Sequence, residues 1–339
     1  MTEANAQESL LAFSQSLAKA VERVSKAVVA IDARPRVATS GIVWRDGVIV
    51  STSHTVQRNE EITVQVADGR RLPANLVGRD PSTDLAVLRV EGDQALGIDP
   101  VTTTAHNDLE VGNLTLAIGR IHRERSVTAS LGIVSALGDK WRTWRGGEID
   151  RLIRPDVSIF IGFSGGALID VEGRVIGINT TGLARGTGLT IPVSTVDYVV
   201  DTLLEHGRIA RPYLGVGMQP VALPAELRSN LNLVNESALV ILSVEAESPA
   251  GRAGITLGDV LVALEGAPVA DTGDVQMVLS RGQIGQTMHA SILRGGEQRE
   301  ITLTLAERPK ETTSSDHRRR GDRFGRGRHF AVVVERTLS

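Results

Sequence analysis

The tightest constraint in this chain is the close spacing of short apolar runs between Ala27 and about Pro192. The runs are Ala27–Ile31, Gly41–Val50, Glu61–Val66, Leu85–Val90, Leu114–Ile118, Gly132–Ala136 and Val175–Asn179, all rich in Val, Ile, Leu or Thr. They have strand length and strand composition. Turn pairs such as Asp46-Gly47, Asp68-Gly69 and Glu172-Gly173 punctuate them, as in antiparallel hairpins. No helical stretch separates these runs, so a barrel or sandwich is expected rather than a parallel sheet.

The flanks read differently. Leu10, Phe13, Leu17, Val21, Val24 and Val28 recur at three- and four-residue spacing, which predicts an amphipathic helix from residue 9 to about 24. Such a helix either caps the first domain or serves as an oligomer contact. A second helix, Val193 to about Glu205, ends at His206-Gly207. Arg211 to about Glu307 forms another β-rich unit, and from Arg308 to Ser339 periodicity is lost. The expected organisation is therefore a helix over 1–25, a β domain over 26–207, a second over 211–307 and a tail over 308–339.

Composition narrows the function classes. Within His317–His329, six arginines against one aspartate give +5, so the rest of the chain carries −8 of the net −3. The tail reads as a solvated, disordered segment, with RNA or an acidic partner as the alternative. Nothing else favours nucleic acid. Cysteine is absent, which excludes disulfides, thiol catalysis and cysteine-based zinc sites while fitting any redox compartment. No run approaches the roughly 20 apolar residues of a membrane helix. The opening Met1–Glu8 lacks a basic segment and a small-residue cleavage site, so a cytoplasmic protein is expected. A start lying upstream would turn that expectation to the periplasm.

Ile161-Gly162-Phe163-Ser164-Gly165-Gly166-Ala167-Leu168 carries the most chemistry. A serine hydroxyl attacks a carbonyl only when a base takes its proton and donors hold the resulting oxyanion. Gly162 lets the backbone turn so that the N–H groups of Gly162 and Ser164 converge. The glycines after Ser164 are expected to leave room for substrate. His54 follows the apolar run ending in Val50-Ser51-Thr52-Ser53, and Asp84 precedes Leu85–Val90. Both therefore sit at strand ends, where a rigid scaffold can aim them. The order His, Asp, Ser is that of the chymotrypsin triad.

These residues bring the chain close to a known family. Asp68–Ala74, Asp80–Val90, Val111-Gly112, Leu116–Gly119, Gly132–Ala136, Ser164–Leu168 and Gly177–Thr180 resemble the HtrA/Deg group of PDZ-containing serine proteases. The resemblance runs from about Val21 to Glu307. It implies a mainly β chain: a chymotrypsin/trypsin-like double β-barrel followed by one PDZ domain. It also implies that His54 is the general base, that Asp84 orients it and that Ser164 is the nucleophile. Gly162 and Ser164 would supply the oxyanion N–H groups. Ile178-Asn179-Thr180 would pair with substrate and border the specificity pocket. The implied activity is ATP-independent endoproteolysis of unfolded or damaged proteins by a homo-trimer, with no cofactor or metal.

The second unit is similar to a bacterial-type PDZ domain. Arg211-Pro212-Tyr213-Leu214-Gly215-Val216 opens it, Ser248–Ile255 and Gly258–Leu261 follow, and a helix-like stretch runs from about Thr272 to Ser280. Tyr213–Val216 would hold a peptide's C-terminal carboxylate while the peptide adds a strand, with Val275 and Leu279 in the groove.

Several strings depart from the family. Asn-Pro-Gly-Asn before the nucleophile is replaced by Phe160-Ile161-Gly162-Phe163, and Asn-Pro-Phe-Gly by Arg120-Ile121-His122-Arg123. Thr55 follows the histidine where valine is usual, and Trp141–Gly147 is an unusual loop. Ser158 stands where a pocket for basic residues would place an aspartate, which favours cleavage after small or medium apolar residues. An α/β-hydrolase is excluded because that elbow needs a helix after the serine, and Asp and His after it in the chain. A metalloprotease would need a ligand cluster such as His-Glu-x-x-His. The remaining alternative is a catalytically silent protease-fold scaffold or chaperone that binds peptides.

Overall fold

Short strands rich in Val, Ile and Leu need a shared core, and the first six obtain it by closing into a barrel. In the computed structural model these are β1 (Val28–Asp32), β2 (Thr39–Arg45), β3 (Val48–Thr52), β4 (Ile62–Gln65), β5 (Arg71–Asp80) and β6 (Leu85–Val90). They close in the order β1-β2-β3-β6-β5-β4. The structure describes residues 3–35, 37–90, 96–104, 108–121, 126–143, 145–184 and 187–307. The basic tail and His122-Arg123 lie outside the described residues. The run Gly41–Val50 divides at the Asp46-Gly47 turn into β2 and β3, with Gly47 at φ +67°.

A second closed barrel repeats the solution. It comprises β7 (Leu114–Gly119) and β8 (Thr128–Gly138), then, beyond a small hairpin of β9 (Trp141–Arg142) and β10 (Glu148–Ile149), β11 (Leu152–Asp156), β12 (Ala167–Ile169), β13 (Val175–Thr180) and β14 (Leu189–Pro192). Its order is β11-β14-β13-β12-β7-β8.

The period of two along each strand sorts the side chains. Val29, Ile31, Val43, Ile49 and Leu88 fill the first barrel. Ala117, Ile153, Phe163, Leu168 and Ile176 cluster in the second. Residues one step away, Val28, Ile42, Val50 and Val87, turn outward and meet Leu116, Ile118, Ile178 and Ile191 in a seam between the barrels. Helix α2 (Val193–His206) closes this seam with Val196, Val199, Val200 and Leu203, and stops at Gly207 in the left-handed region. The amphipathic N-terminal helix α1 is longer than the sequence suggests, Glu3–Ser25. Its Ala20 and Val24 join the seam core, whereas Leu10, Leu11 and Phe13 are 70%, 60% and 45% exposed. Among the described residues no helix is long and apolar enough to cross a membrane.

The second unit is a six-stranded sheet flanked by helices. It contains β15 (Pro212–Tyr213), β16 (Val216–Ala222), α3 (Ala225–Leu231), β17 (Ser237–Val244), α4 (Pro249–Arg252), β18 (Val260–Leu264), β19 (Ala267–Pro268), α5 (Thr272–Arg281), β20 (Thr287–Arg294), β21 (Glu297–Thr304) and β22 (Ala306–Glu307). The sheet order is β16-β17-β18-β20-β21, with β19 attached to β18, so β16 is an edge.

One charged contact ties the units together. Asp80, a turn candidate in sequence, does accept from the backbone N–H of Ser82 and from the Ser82 and Thr83 hydroxyls. It also accepts from the Arg211 guanidinium at 2.8 Å, across 131 residues. Burial on its own would raise the Asp80 pKa, but Arg211 and the two hydroxyls outweigh it and hold the carboxyl below its usual range. The pair therefore contributes stability above the unfolded-state carboxylate pKa of about 4, and that contribution is lost as pH falls through the lower folded value. Arg211→Gln strands a buried carboxylate, and a loss of about 1–3 kcal/mol is expected at neutral pH. Urea unfolding checks this, and the difference from wild type shrinks as the solution is acidified below about pH 4.

Candidate active site

Three separate elements deliver His54, Asp84 and Ser164 to one end of the seam. His54 lies in the turn after β3, and Asp84 immediately precedes β6, the neighbouring strand. Asp84 has φ +59°, a left-handed conformation that aspartate tolerates better than most residues. That turn presents the carboxylate to histidine twice. His54 N–H donates to Asp84 Oδ1 at 2.9 Å, and His54 Nδ1 lies 2.8 Å from Oδ2. The Thr180 hydroxyl donates to the same Oδ2 at 2.5 Å. Asp84 is 4% exposed, so these donors replace the water it has lost. The carboxylate fixes the imidazole with Nδ1 inward, leaving Nε2 without a partner among the described residues.

Ser164 sits on the loop between β11 and β12 and is 6% exposed. Its hydroxyl lies 3.2 Å from Thr181 Oγ1 and makes no hydrogen bond to His54. The backbone around it is tightly determined. Phe163 is fully buried in the second barrel's core, with Phe160 edge-on at 5.2 Å, and anchors the loop from below. Gly162 has φ +98°, which accounts for glycine at that position. The N–H groups of Gly162 and Ser164 have no hydrogen-bond partner among the described residues.

Gly165 and Gly166 serve a purpose different from the one expected. A Cβ on Gly165 would collide with Ser40 O and Ser51 Oγ, and one on Gly166 with Ile118 O. Their bare faces point at the barrels, so these glycines allow the nucleophile loop to enter the seam rather than making space for substrate.

The structure also redistributes the residues expected to bind substrate. Ile178 is buried in the seam core, and the Asn179 side chain donates to Ala167 O and accepts from the Thr190 hydroxyl. Thr180 is spent on Asp84. Strand β13 pairs with β12 up to Ile178 and with β14 through Thr180, so strand pairing ends at Thr180, and beyond it the Gly182 N–H donates to the Thr180 hydroxyl. Ser158 is exposed beside the exposed Phe160 and Ile161, and its N–H donates to Ser130 Oγ.

Sequence reasoning missed Gly182. A Cβ there would lie 2.6 Å from Asp84 Oδ2 and 2.7 Å from His54 Nδ1, so only glycine can lie flat over the pair. A glycine two residues after Thr180 was its only signal. From His54 and Gly182 a cleft of about 840 Å³ runs past Pro81 and Ser82 to Arg208 and Arg211, the link to the second unit.

In that unit Tyr213 ends β15 and Val216 begins β16, leaving Leu214 and Gly215 as the loop, with Gly215 at φ +79°. The loop is held by Ala250 N–H on Leu214 O and Glu245 N–H on Gly215 O. Val275 and Leu279 of α5 are 1% and 5% exposed and pack with Leu214.

Two closed barrels, a histidine–aspartate pair in one and a glycine-flanked serine on the other define a trypsin-like serine peptidase fold, here followed by a PDZ domain. The sequence matches the trypsin-like peptidase domain family over residues 39–178 and the PDZ domain family over 212–305. The chain belongs to the HtrA/Deg family. It is 33% identical over 300 residues to a probable periplasmic serine endoprotease, DegP-like, of Brucella suis, covering 87% of this chain and 57% of the relative. A protein of the same description from Halomonas elongata is 34% identical over 274 residues, 79% of this chain and 56% of the relative. The chain thus spans a little over half the length of these curated relatives.

Among solved structures, the HtrA-type protease AlgW with a tripeptide is 31% identical at TM-score 0.62, covering 86% of this chain and 97% of that one. The serine endoprotease from Yersinia pestis is 28% identical at TM-score 0.64, covering 86% and 98%.

Gly182→Ala is expected to part His54 from Asp84. Proton NMR checks this: the hydrogen-bonded Nδ1 proton of His54 should be lost or shifted upfield in a variant that remains folded.

Proposed function

We propose that this chain is an ATP-independent serine endopeptidase acting on unfolded or damaged proteins, with a PDZ domain that receives C-terminal or hydrophobic peptide segments. The observation that carries the reading is the Asp84–His54 pair, with both histidine nitrogens assigned: Nδ1 is held by the carboxylate and Nε2 is free to act. His54 takes the Ser164 proton as Oγ attacks the scissile carbonyl, and Asp84 steadies the imidazolium that forms. The unpartnered N–H groups of Gly162 and Ser164 receive the oxyanion. His54 then returns the proton to the leaving amine. Water, deprotonated by His54, hydrolyses the acyl-enzyme and frees Ser164.

The substrate backbone pairs with Thr181–Leu183, the stretch just beyond β13, and not with Ile178–Asn179; the Gly182 N–H, which donates to the Thr180 hydroxyl at 2.9 Å, exchanges that bond for one to substrate. Exposed Phe160 and Ile161 near Ser158 support cleavage after small or medium apolar residues. At the PDZ domain a peptide adds to the β16 edge beside α5, its carboxylate at Leu214-Gly215. Because Val275 and Leu279 are packed away, that groove opens only as helix and strand part. The AlgW structures are described with bound peptides, which supports peptide binding by this chain.

The Ser164 hydroxyl rests on Thr181, so slow turnover is expected until substrate brings it to His54. Casein digestion and fluorophosphonate labelling test the reading. Wild type is expected to cleave and to be labelled, more so with hydrophobic C-terminal peptides, and Ser164→Ala to do neither. A folded wild type that stays unlabelled with peptide present favours the silent scaffold. Cleavage sites dominated by Arg would overturn the specificity assignment.

Assembly as a homo-trimer through the protease domains belongs to the same proposal. The exposed Leu10, Leu11 and Phe13 of α1 support an association surface. A stable monomer in sedimentation would contradict it. The curated bacterial relatives are named as periplasmic, which favours the periplasm over the cytoplasm for this chain, and cell fractionation separates the two.

A further inference from the structure

We infer that Thr39 and Ser40, at the start of β2 in the first barrel, are positioning residues for the oxyanion donors of the second. The inference rests on the proteolytic reading above. Both residues are fully buried, and each grips one carbonyl of the nucleophile loop. Thr39 Oγ1 donates to Ser164 O at 2.6 Å. Ser40 donates twice to Gly162 O, from its N–H at 2.9 Å and from its hydroxyl at 2.6 Å. The Ser40 hydroxyl is itself held, accepting from Arg120 N–H at 2.9 Å, and Ser40 O accepts from Ser51 Oγ at 2.7 Å. The two residues gripped are the two whose N–H groups are free.

Peptide planarity shows what the grip achieves. Each peptide unit turns as one rigid plate, so fixing one edge fixes the other. The plate carrying Ser164 N–H is set by Gly166 N–H on Phe163 O, 2.8 Å. The next plate, from Ser164 O to Gly165 N–H, is set by Thr39 at one edge and by Asn179 O, 2.9 Å from Gly165 N, at the other. The plate between Gly162 and Phe163 is held by Ser40 at one edge and by Phe163 N–H on Phe160 O, 3.0 Å, at the other. Only the Ile161–Gly162 plate, bearing the second oxyanion N–H, has no bond at either edge among the described residues. Its direction depends on Gly162, whose carbonyl side is clamped by Ser40. The hydroxyls of Thr39 and Ser40 thus hold the frame from which both donors point, and a shift of a few tenths of an ångström there moves the donors away from the developing oxyanion.

The test pairs Thr39→Val, which keeps shape and removes the hydroxyl, with Thr39→Ser, which restores it, and with Ser40→Ala. Donor misplacement weakens transition-state binding more than substrate binding. For Thr39→Val and Ser40→Ala, kcat on a peptide substrate is expected to fall about 10–100-fold, with KM within about threefold. Affinity for a peptidyl boronate, whose tetrahedral adduct occupies the oxyanion site, should fall by a similar factor, and Thr39→Ser should return kcat to within about threefold of wild type. Should Thr39→Val not fold, Ser40→Ala and its boronate affinity decide the question alone.

Folded variants with wild-type kcat overturn the inference. So does a fall in kcat that leaves boronate affinity unchanged. A wild type without Ser164-dependent cleavage overturns the proteolytic reading and this inference together, whereas an active wild type beside an unimpaired Thr39→Val overturns this inference alone.

Discussion

Everything at the site depends on how closely the two barrels approach. The nucleophile loop reaches the histidine–aspartate pair only because Gly165 and Gly166 press bare backbone against Ser40, Ser51 and Ile118. A side chain at Gly165 would push the loop off Ser40 and Ser51 of the first barrel, and one at Gly166 would push it off Ile118 of its own barrel; either would carry Ser164 away from His54. The same contact buries Thr39 and Ser40, so burial and hydrogen bonding reinforce each other in one seam. Apolar packing by Val28, Ile42, Leu116 and Ile178 supplies the adhesion. The polar atoms set the register to a fraction of an ångström.

The division of labour between the barrels follows from this arrangement. The first holds His54 and Asp84, the proposed base and orienter, joined by short bonds between neighbouring strands, and so gives a preformed unit. The second carries Ser164 and Gly162, the proposed nucleophile and oxyanion donors, on a loop anchored from below by the fully buried Phe163. Thr180 crosses between them, rising from the second barrel to bond Asp84 in the first. The aspartate therefore senses the position of the second barrel directly.

Much of this was legible in the chain. Continuous Val/Ile/Leu runs with glycine turns gave the barrels, because strands buried on both faces have no polar side to display. His54 and Asp84 stood out at strand ends, and Ser164 within its glycines. What stayed hidden was side-chain direction. Ile178, Asn179 and Thr180 lie on one strand, and only pairing on both its edges shows that none is free for substrate. Strand β5 was missed because Pro73 and its charged residues obscure an alternation of exposed and buried positions. Gly182, Thr39 and Ser40 carry no local signature at all, since their importance comes from atoms more than 90 residues away in the chain or, for Gly182, from a ring and a carboxylate facing it.

The Asp80–Arg211 contact has a consequence for where the first unit ends. Judged by its helix, the protease portion stops at Gly207, and the residues beyond look like tether. Judged by charge, it extends to Arg211, because the segment leading into Asp84 contains a buried carboxylate whose counter-ion lies on that tether. A chain shortened to the helix end would lose more than its PDZ domain. It would keep an uncompensated anion four residues from Asp84, so the edge of the trypsin-like domain is set by electrostatics and lies past the last turn of its secondary structure.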